Sequence, residues 1–247
     1  MSCGVCDLLT QILRQHTLNE TILPVVCDLI YQLVLFDVDQ SDSVHSCQDK
    51  FAEFFLCEQL INKILLNYAD ELTIHSIITV FKAIGALSRR HEGNKQRFAS
   101  VGACKLLPEL SRSKKSFLEN AFFAEAICWA FGNLAFPDAD NQLALGESGA
   151  CSLIFDLLKL HSQNRLVVQE GMRAVRNLCQ SCDENSLRVI ELNGIAFIME
   201  LISLFQKEPD VLQWIMFCLA SLSDQEMCRY RLGQANITNE IAMIMQK

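Results

Sequence analysis

Three stretches of this chain repeat one another, and that self-similarity constrains the fold more than any single residue does. The first reads Asn94-Lys-Gln-Arg-Phe-Ala-Ser-Val-Gly102-Ala-Cys-Lys-Leu-Leu, and the second Asn141-Gln-Leu-Ala-Leu-Gly-Glu-Ser-Gly149-Ala-Cys-Ser-Leu-Ile. The third reads Asn185-Ser-Leu-Arg-Val-Ile-Glu-Leu-Asn-Gly194-Ile-Ala-Phe-Ile. The asparagines are 47 and 44 residues apart, and the glycines 47 and 45. Each stretch leads into a longer apolar segment, over residues 122–136, 167–180 and 211–223. Those segments end Gly-Asn133-Leu-Ala, Arg-Asn177-Leu-Cys and Ala-Ser221-Leu-Ser, each 44 residues after the last. A short helix, a glycine break and two further helices at this period describe a three-helix solenoid unit. The glycine is expected to end the first helix in a left-handed conformation and turn the chain into the second.

The patterning inside the unit agrees. The second helix carries an apolar stripe, as at Leu153, Ile154, Leu157, Leu158 and Leu160. The third is apolar nearly all round, as expected of a helix with neighbours on several sides. Weaker copies flank this region. Residues 51–90 supply a second and a third helix, with Ile84-Gly-Ala-Leu-Ser aligning on the Asn133 region. Residues 6–36 read as a helix pair split near Leu18–Asn19, and residues 227–245 as a first and second helix broken near Gln234–Asn236. The chain is therefore read as one all-α solenoid domain of about five repeats, with atypical ends as terminal repeats commonly are. The expected division is an N-terminal cap repeat over 1–42, repeats over 43–90, 91–138, 139–182 and 183–225, and a partial C-terminal repeat over 226–247.

Composition narrows the function classes. With 29 acidic against 21 basic residues the net charge is −8, which argues against general binding to nucleic acid or acidic membranes. No apolar run approaches the roughly 20 residues that span a bilayer. No charged and then apolar leader pattern opens the chain. The 12 cysteines lie mostly within apolar helical patterns, where Cys behaves as a small buried hydrophobe. A reducing compartment follows, cytoplasmic and compatible with the nucleus, in which the sequons at Asn19 and Asn236 are accidental.

Signals of chemistry are sparse. Cys3–Cys6 and Cys179–Cys182 have a Cys-x-x-Cys spacing, but zinc needs four ligands within reach and Cys179 falls at a core position. His16, His45, His75, His91 and His161 show no spacing for a metal or a nucleophile; His16, His91 and His161 fall at helix ends or loops, as solvated or capping residues. No phosphate loop, nucleophile elbow or paired acidic motif is present. The expectation is a non-enzyme with no cofactor and no metal. The run Ser111-Arg-Ser-Lys-Lys-Ser reads as a solvated basic loop between second and third helices.

The segment Ala126-Ile-Cys-Trp-Ala-Phe-Gly-Asn-Leu-Ala resembles the third helix of an armadillo repeat of the importin-α and β-catenin type, and the resemblance extends over residues 91–225. It implies a right-handed superhelix whose third helices line a concave groove. There a Trp and an Asn one turn apart hold an extended peptide, the Asn by its backbone and the Trp by the stems of its side chains. Positions i and i+4 do share a helix face, and an amide offers a donor and an acceptor together. Carried onto this sequence, the pairs are Trp129 with Asn133, Arg173 with Asn177, Phe217 with Ser221, and Lys82 with Ala86. Only the first pair keeps both family residues, so recognition of a basic signal of the importin kind is not expected. Lys82, Arg173 and Arg176 put positive charge on the stripe, and Trp214 adds an aromatic surface one turn before Phe217. Glu125, Glu170, Asp183 and Glu184 make the local field mixed.

The candidate groove therefore comprises Lys82, Trp129, Asn133, Glu170, Arg173, Arg176, Asn177, Trp214, Phe217 and Ser221. Trp129 also fits a core position, and the two asparagines also fit a role bridging adjacent repeats. The expected partner is a protein segment in extended form, with acidic and hydrophobic side chains. The alternative is an assembly subunit stacking through its ends on other helical domains, and the oligomeric state is open.

Overall fold

Local capping chemistry cuts the chain into helices where its pattern breaks. In the computed structural model, which describes residues 3–40 and 47–235, the first pair is α1 (Cys3–Gln15) and α2 (Ile22–Gln40). Asn19 Oδ1 accepts from the backbone amides of Thr21 and Ile22 at the break between them. Next come α3 (Cys47–Glu53), α4 (Leu56–Glu58), a π-helical stretch over Gln59–Leu65, α5 (Leu66–Tyr68) and α6 (Ile74–Ser88). Two regular triplets follow: α7 (Glu92–Ser100), α8 (Ala103–Ser113) and α9 (Ala121–Ala135), then α10 (Ala139–Glu147), α11 (Ala150–Leu160) and α12 (Arg165–Cys179). The last triplet is α13 (Asp183–Glu191), α14 (Gly194–Leu204) and α15 (Pro209–Leu222), and α16 (Glu226–Gln234) begins a further unit. No strand occurs among the described residues.

The third helices form the spine. α2, α6, α9, α12 and α15 lie side by side, each packed chiefly against the next. Close approach needs small residues at the crossings: a Cβ on Gly132 would sit 3.2 Å from the Ala174 Cα of the neighbouring helix. One continuous apolar core runs from Cys6 to Leu232. The cysteines belong to it; burial pushes the Cys218 and Cys151 thiols up to about 12. No helix among the described residues is long and apolar enough to cross a membrane.

The left-handed turn between first and second helices recurs, but glycine does not always supply it. Gly102 and Gly149 adopt φ 78° and 81° there, as the aligned glycines predict. In the next unit Asn193 takes the position, at φ 56°, and Gly194 is the first residue of α14. Asn tolerates the left-handed region through its short polar side chain. Gly194 is needed for another reason: a Cβ there would lie 2.7 Å from both Phe155 Cζ and Val189 Cγ1. In the unit before Gly102, Phe55 occupies the turn at φ 59° and is 60% exposed, so no glycine marked it. That masking explains why the sequence pattern shows only a second and a third helix in 51–90, whereas α3 supplies a first.

Two smaller expectations change, and a third is not reached. Ser111 to Ser113 of the basic run lie in the last turn of α8 rather than in a loop. Leu160 is 55% exposed and drops out of the α11 stripe. The expected second helix after Gln234, with the sequon at Asn236, lies outside the described residues.

Candidate partner-binding groove

The aligned asparagines of the first helices have a job that repeat alignment alone does not reveal. Asn94, Asn141 and Asn185 are fully buried. Each sends its Nδ2 to a carbonyl seven residues back, at the end of the preceding third helix: Leu87, Leu134 and Leu178, at 2.9, 3.1 and 2.9 Å. Each also reaches a carbonyl in the first helix one repeat earlier: Gln48, Lys95 and Gln142, at 3.4, 3.5 and 2.8 Å. The ends of helices expose carbonyls with no intrahelical partner, so this amide both caps and staples. Those same earlier residues reach forward. Gln48 Nε2 donates to Arg89 O at 2.8 Å, Lys95 Nζ to Phe136 O at 2.5 Å, and Gln142 Nε2 to Asn177 O at 2.7 Å. This ladder sets the spacing at which the third helices present their faces.

On those faces, Trp129 is half-buried rather than free. Its Nε1 donates to Lys82 O at 3.3 Å, and its ring meets Tyr31 edge-on at 6.0 Å. The Arg173 guanidinium lies 4.6 Å from the ring centroid, within cation–π range. A Cβ on Gly85 would fall 2.2 Å from Trp129 Cδ1, so α6 keeps a glycine to let the indole lie flat on it. Asn133, Asn177 and Ser221 are buried, and the last two bridge the seams between third helices. Asn133 Nδ2 donates to Trp129 O at 2.9 Å within its own helix. Asn177 Nδ2 donates to Gly132 O at 2.8 Å, and Ser221 Oγ to Arg176 O at 3.4 Å, each to the neighbouring third helix. Where the family resemblance implies amides held out to a ligand, Asn177 and Ser221 stitch neighbouring third helices together and Asn133 bonds within its own.

Charge on the face is divided. Toward the N-terminal side, Lys82 Nζ stands 5.8 Å from the Tyr31 ring centroid. Burial raises the Glu125 carboxyl above the usual range, Lys82 pulls it back down, and Glu170 pushes it up again. Glu170 Oε2 accepts from Arg173 Nε at 2.8 Å. Arg173 Nη2 approaches the same oxygen at 2.6 Å but out of line for a second hydrogen bond. Toward the C-terminal side the field is basic. A cleft of about 410 Å³ is lined by Arg89, Arg90, Arg173, Arg176, Asn133, Asn177, Phe136, Pro137 and Trp214, with no Asp or Glu among them. Arg176 Nη1 donates to Asn177 Oδ1 at 2.9 Å, and its guanidinium lies 5.5 Å from the Phe136 ring centroid. Trp214 and Phe217 meet edge to face at 5.6 Å, with Phe217 44% exposed. A separate cavity of about 300 Å³ lies between Ile190, Ile195, Arg231 and Ala235, away from this convergence of charge.

The structure thus brings five of the sequence-derived candidates, Asn133, Arg173, Arg176, Asn177 and Trp214, into one cleft. Trp129 and Glu170 lie behind it, supporting Arg173, while Phe217 and Ser221 flank Trp214 on α15. Lys82 stands apart, beside Tyr31 and Glu125. Arg89, Arg90 and Phe136 were missed because they follow the third helices, outside the i, i+4 register that located the others. The Arg89–Arg90 doublet directly after α6 was the available signal.

No family model matches the chain, and no curated protein matches it by sequence. Solved structures do resemble it. A designed armadillo repeat protein, YIII(Dq.V1)4CPAF in complex with peptide (KR)4, superposes at a TM-score of 0.74 and 18% identity, over 95% of this chain and 90% of that one. The fold is an armadillo-like repeat stack. Two engineered proteins of the Northeast Structural Genomics Consortium, targets OR329 and OR366, reach TM-scores of 0.80 and 0.77 at 13% and 15% identity. They cover 99% and 96% of this chain, and 90% and 89% of their own. At these identities the likeness is one of fold. Among the described residues no group of three or more His, Cys, Asp or Glu side chains could hold a metal ion.

Proposed function

We propose that this protein is a non-catalytic interaction scaffold whose third-helix face binds an extended, acidic and hydrophobic segment of a partner protein. The observation that carries the reading is the cleft in which Arg89, Arg90, Arg173 and Arg176 converge beside Trp214, with no Asp or Glu among its described lining residues. Guanidinium forks bind carboxylates bidentately, and half-buried Trp214 with exposed Phe217 offers an aromatic surface for an apolar anchor beside them. The armadillo-like stack supplies a long surface along which an extended chain lies. A basic peptide such as the (KR)4 ligand of the designed protein would meet like charge here.

The proposed contact residues are Arg173, Arg176, Trp214 and Phe217. Trp129 and Glu170 hold Arg173, Asn177 and Ser221 hold the Arg176 segment, Asn133 lines the cleft beside them, and Lys82 faces the more mixed N-terminal part of the groove. Fluorescence anisotropy tests this with labelled pools of extended peptides that are acidic–aromatic, neutral or basic. The acidic pool should bind with a steep dependence on salt, and Arg176→Ala with Trp214→Ala should abolish binding at unchanged melting temperature. Equal binding of the three pools would sink the proposal.

One observation favours a second reading, assembly through the ends. Val25, Leu29 and Phe36 form a stripe on α2 and are 61%, 42% and 64% exposed. Light scattering over a concentration series decides it: a mass that stays monomeric at high concentration excludes assembly between copies through this face.

A further inference from the structure

The arginine cleft is built for more negative charge than one carboxylate brings. Two of its guanidiniums are held in place before any ligand arrives. Arg173 is clamped between the Trp129 ring at 4.6 Å and Glu170, and Arg176 between Asn177 Oδ1 and the Phe136 ring. Side chains already ordered lose little freedom when they bind. Glu170 offsets Arg173, while Arg90 and Arg176 pair with no carboxylate among the described residues. Arg173 Nη2 lies 2.6 Å from Glu170 Oε2 without an aligned hydrogen bond. These arginines come from two places in the chain, the turn after α6 and the face of α12, so they approach a common ligand from different sides.

A carboxylate offers two oxygens and a single charge. A phosphate monoester carries about −1.5 to −2 charge and three acceptor oxygens at neutral pH. Its third oxygen and second charge let it satisfy forks from both sides of the cleft more fully than a carboxylate can. The cleft volume, about 410 Å³, lies in the range that encloses small ligands. A nucleic-acid backbone fits the chain less well: the net charge is −8, and Glu125 and Glu170 lie on the same helix faces. We infer that the cleft recognises a phosphorylated side chain within the extended partner segment, with a neighbouring apolar residue seated on Trp214 and Phe217. This inference rests on the groove reading above and narrows its ligand.

The test uses the full chain and three pools of labelled peptides that differ only at a central phosphoserine, glutamate or serine, with apolar residues flanking it. The phosphoserine pool should bind about tenfold or more tightly than the glutamate pool, and the advantage should shrink below about pH 6 as the phosphate takes up its second proton. Arg176→Gln and Arg90→Gln should each remove most of that advantage. Arg165→Gln, at a guanidinium outside the cleft that pairs with Asp210 at 2.5 Å, should not. Arg176→Lys keeps the charge and loses the fork, and should also lose the preference if the stack remains folded by circular dichroism. Equal binding of phosphoserine and glutamate pools overturns this inference and leaves the acidic-segment reading standing. Absence of binding by both overturns the two together. A preference untouched by Arg176→Gln and Arg90→Gln, or tighter binding of single-stranded RNA than of the phosphoserine pool, also overturns it.

Discussion

Asn141→Ala and Asn133→Ala remove the same amide from neighbouring elements, and the structure assigns them different penalties. Asn141 Nδ2 caps Leu134 O at 3.1 Å, and the amide of Asp138, which would continue the helix onto that carbonyl, bonds Ala135 O instead. Deleting the cap leaves a buried carbonyl with no donor, which costs about 1–3 kcal/mol. The second contact, to Lys95 O at 3.5 Å, is long and adds a few tenths at most by the same reasoning. The total is about 1–3 kcal/mol. Asn133 Nδ2 instead donates to Trp129 O, a carbonyl four residues back inside α9 that already serves the helical ladder. Its loss orphans nothing and should cost under about 1 kcal/mol. In a chain of this size 1 kcal/mol moves a melting midpoint by roughly 2–4 °C, so the two variants should separate by several degrees. Thermal melting followed by far-ultraviolet circular dichroism measures the midpoints. Native-state hydrogen exchange should in addition show Asn141→Ala loosening the junction of α9 and α10. An Asn133→Ala variant as damaged as Asn141→Ala would refute the assignment of the first-helix ladder as the main staple.

Further consequences follow from single residues. Phe55 sits at φ 59° with its ring largely in solvent, so Phe55→Gly should raise the melting midpoint by relieving left-handed strain of about 1 kcal/mol; a fall would show that the ring contributes packing there. Lys95 is 1% exposed, and burial lowers its pKa below the ordinary value of about 10.4. Between those two values the unfolded chain binds the extra proton, so stability rises with pH in that alkaline window. Lys95→Gln, placing the side chain that Gln48 and Gln142 use at equivalent positions, should remove this slope in denaturant titrations at stepped pH while the fold persists. Gly85→Ala should disturb the groove from behind, because a methyl 2.2 Å from Trp129 Cδ1 forces the indole off Lys82 O and away from Arg173. Overpacking of this kind costs about 1–3 kcal/mol, and unchanged tryptophan fluorescence would contradict it.

The sequence by itself determined the architecture, because the stack is built from nearest-neighbour contacts that recur at a period near 44 residues. Gly102 and Gly149 announced the left-handed turns, and the third-helix endings at Asn133, Asn177 and Ser221 announced the spine. Such features are local: a helix, its cap and its turn depend on residues a few positions apart. The same locality failed where a different residue did the job, as with Phe55 and Asn193. Only the tertiary structure decided what the polar groups do. It turned Asn177 into the seam with α9, set Trp129 beneath Arg173, and carried Arg89 and Arg90 across from the end of α6 to face Arg176. Those relations join residues about 40 to 90 positions apart, so they depend on how neighbouring helices dock, and a periodic pattern within one repeat does not carry that information.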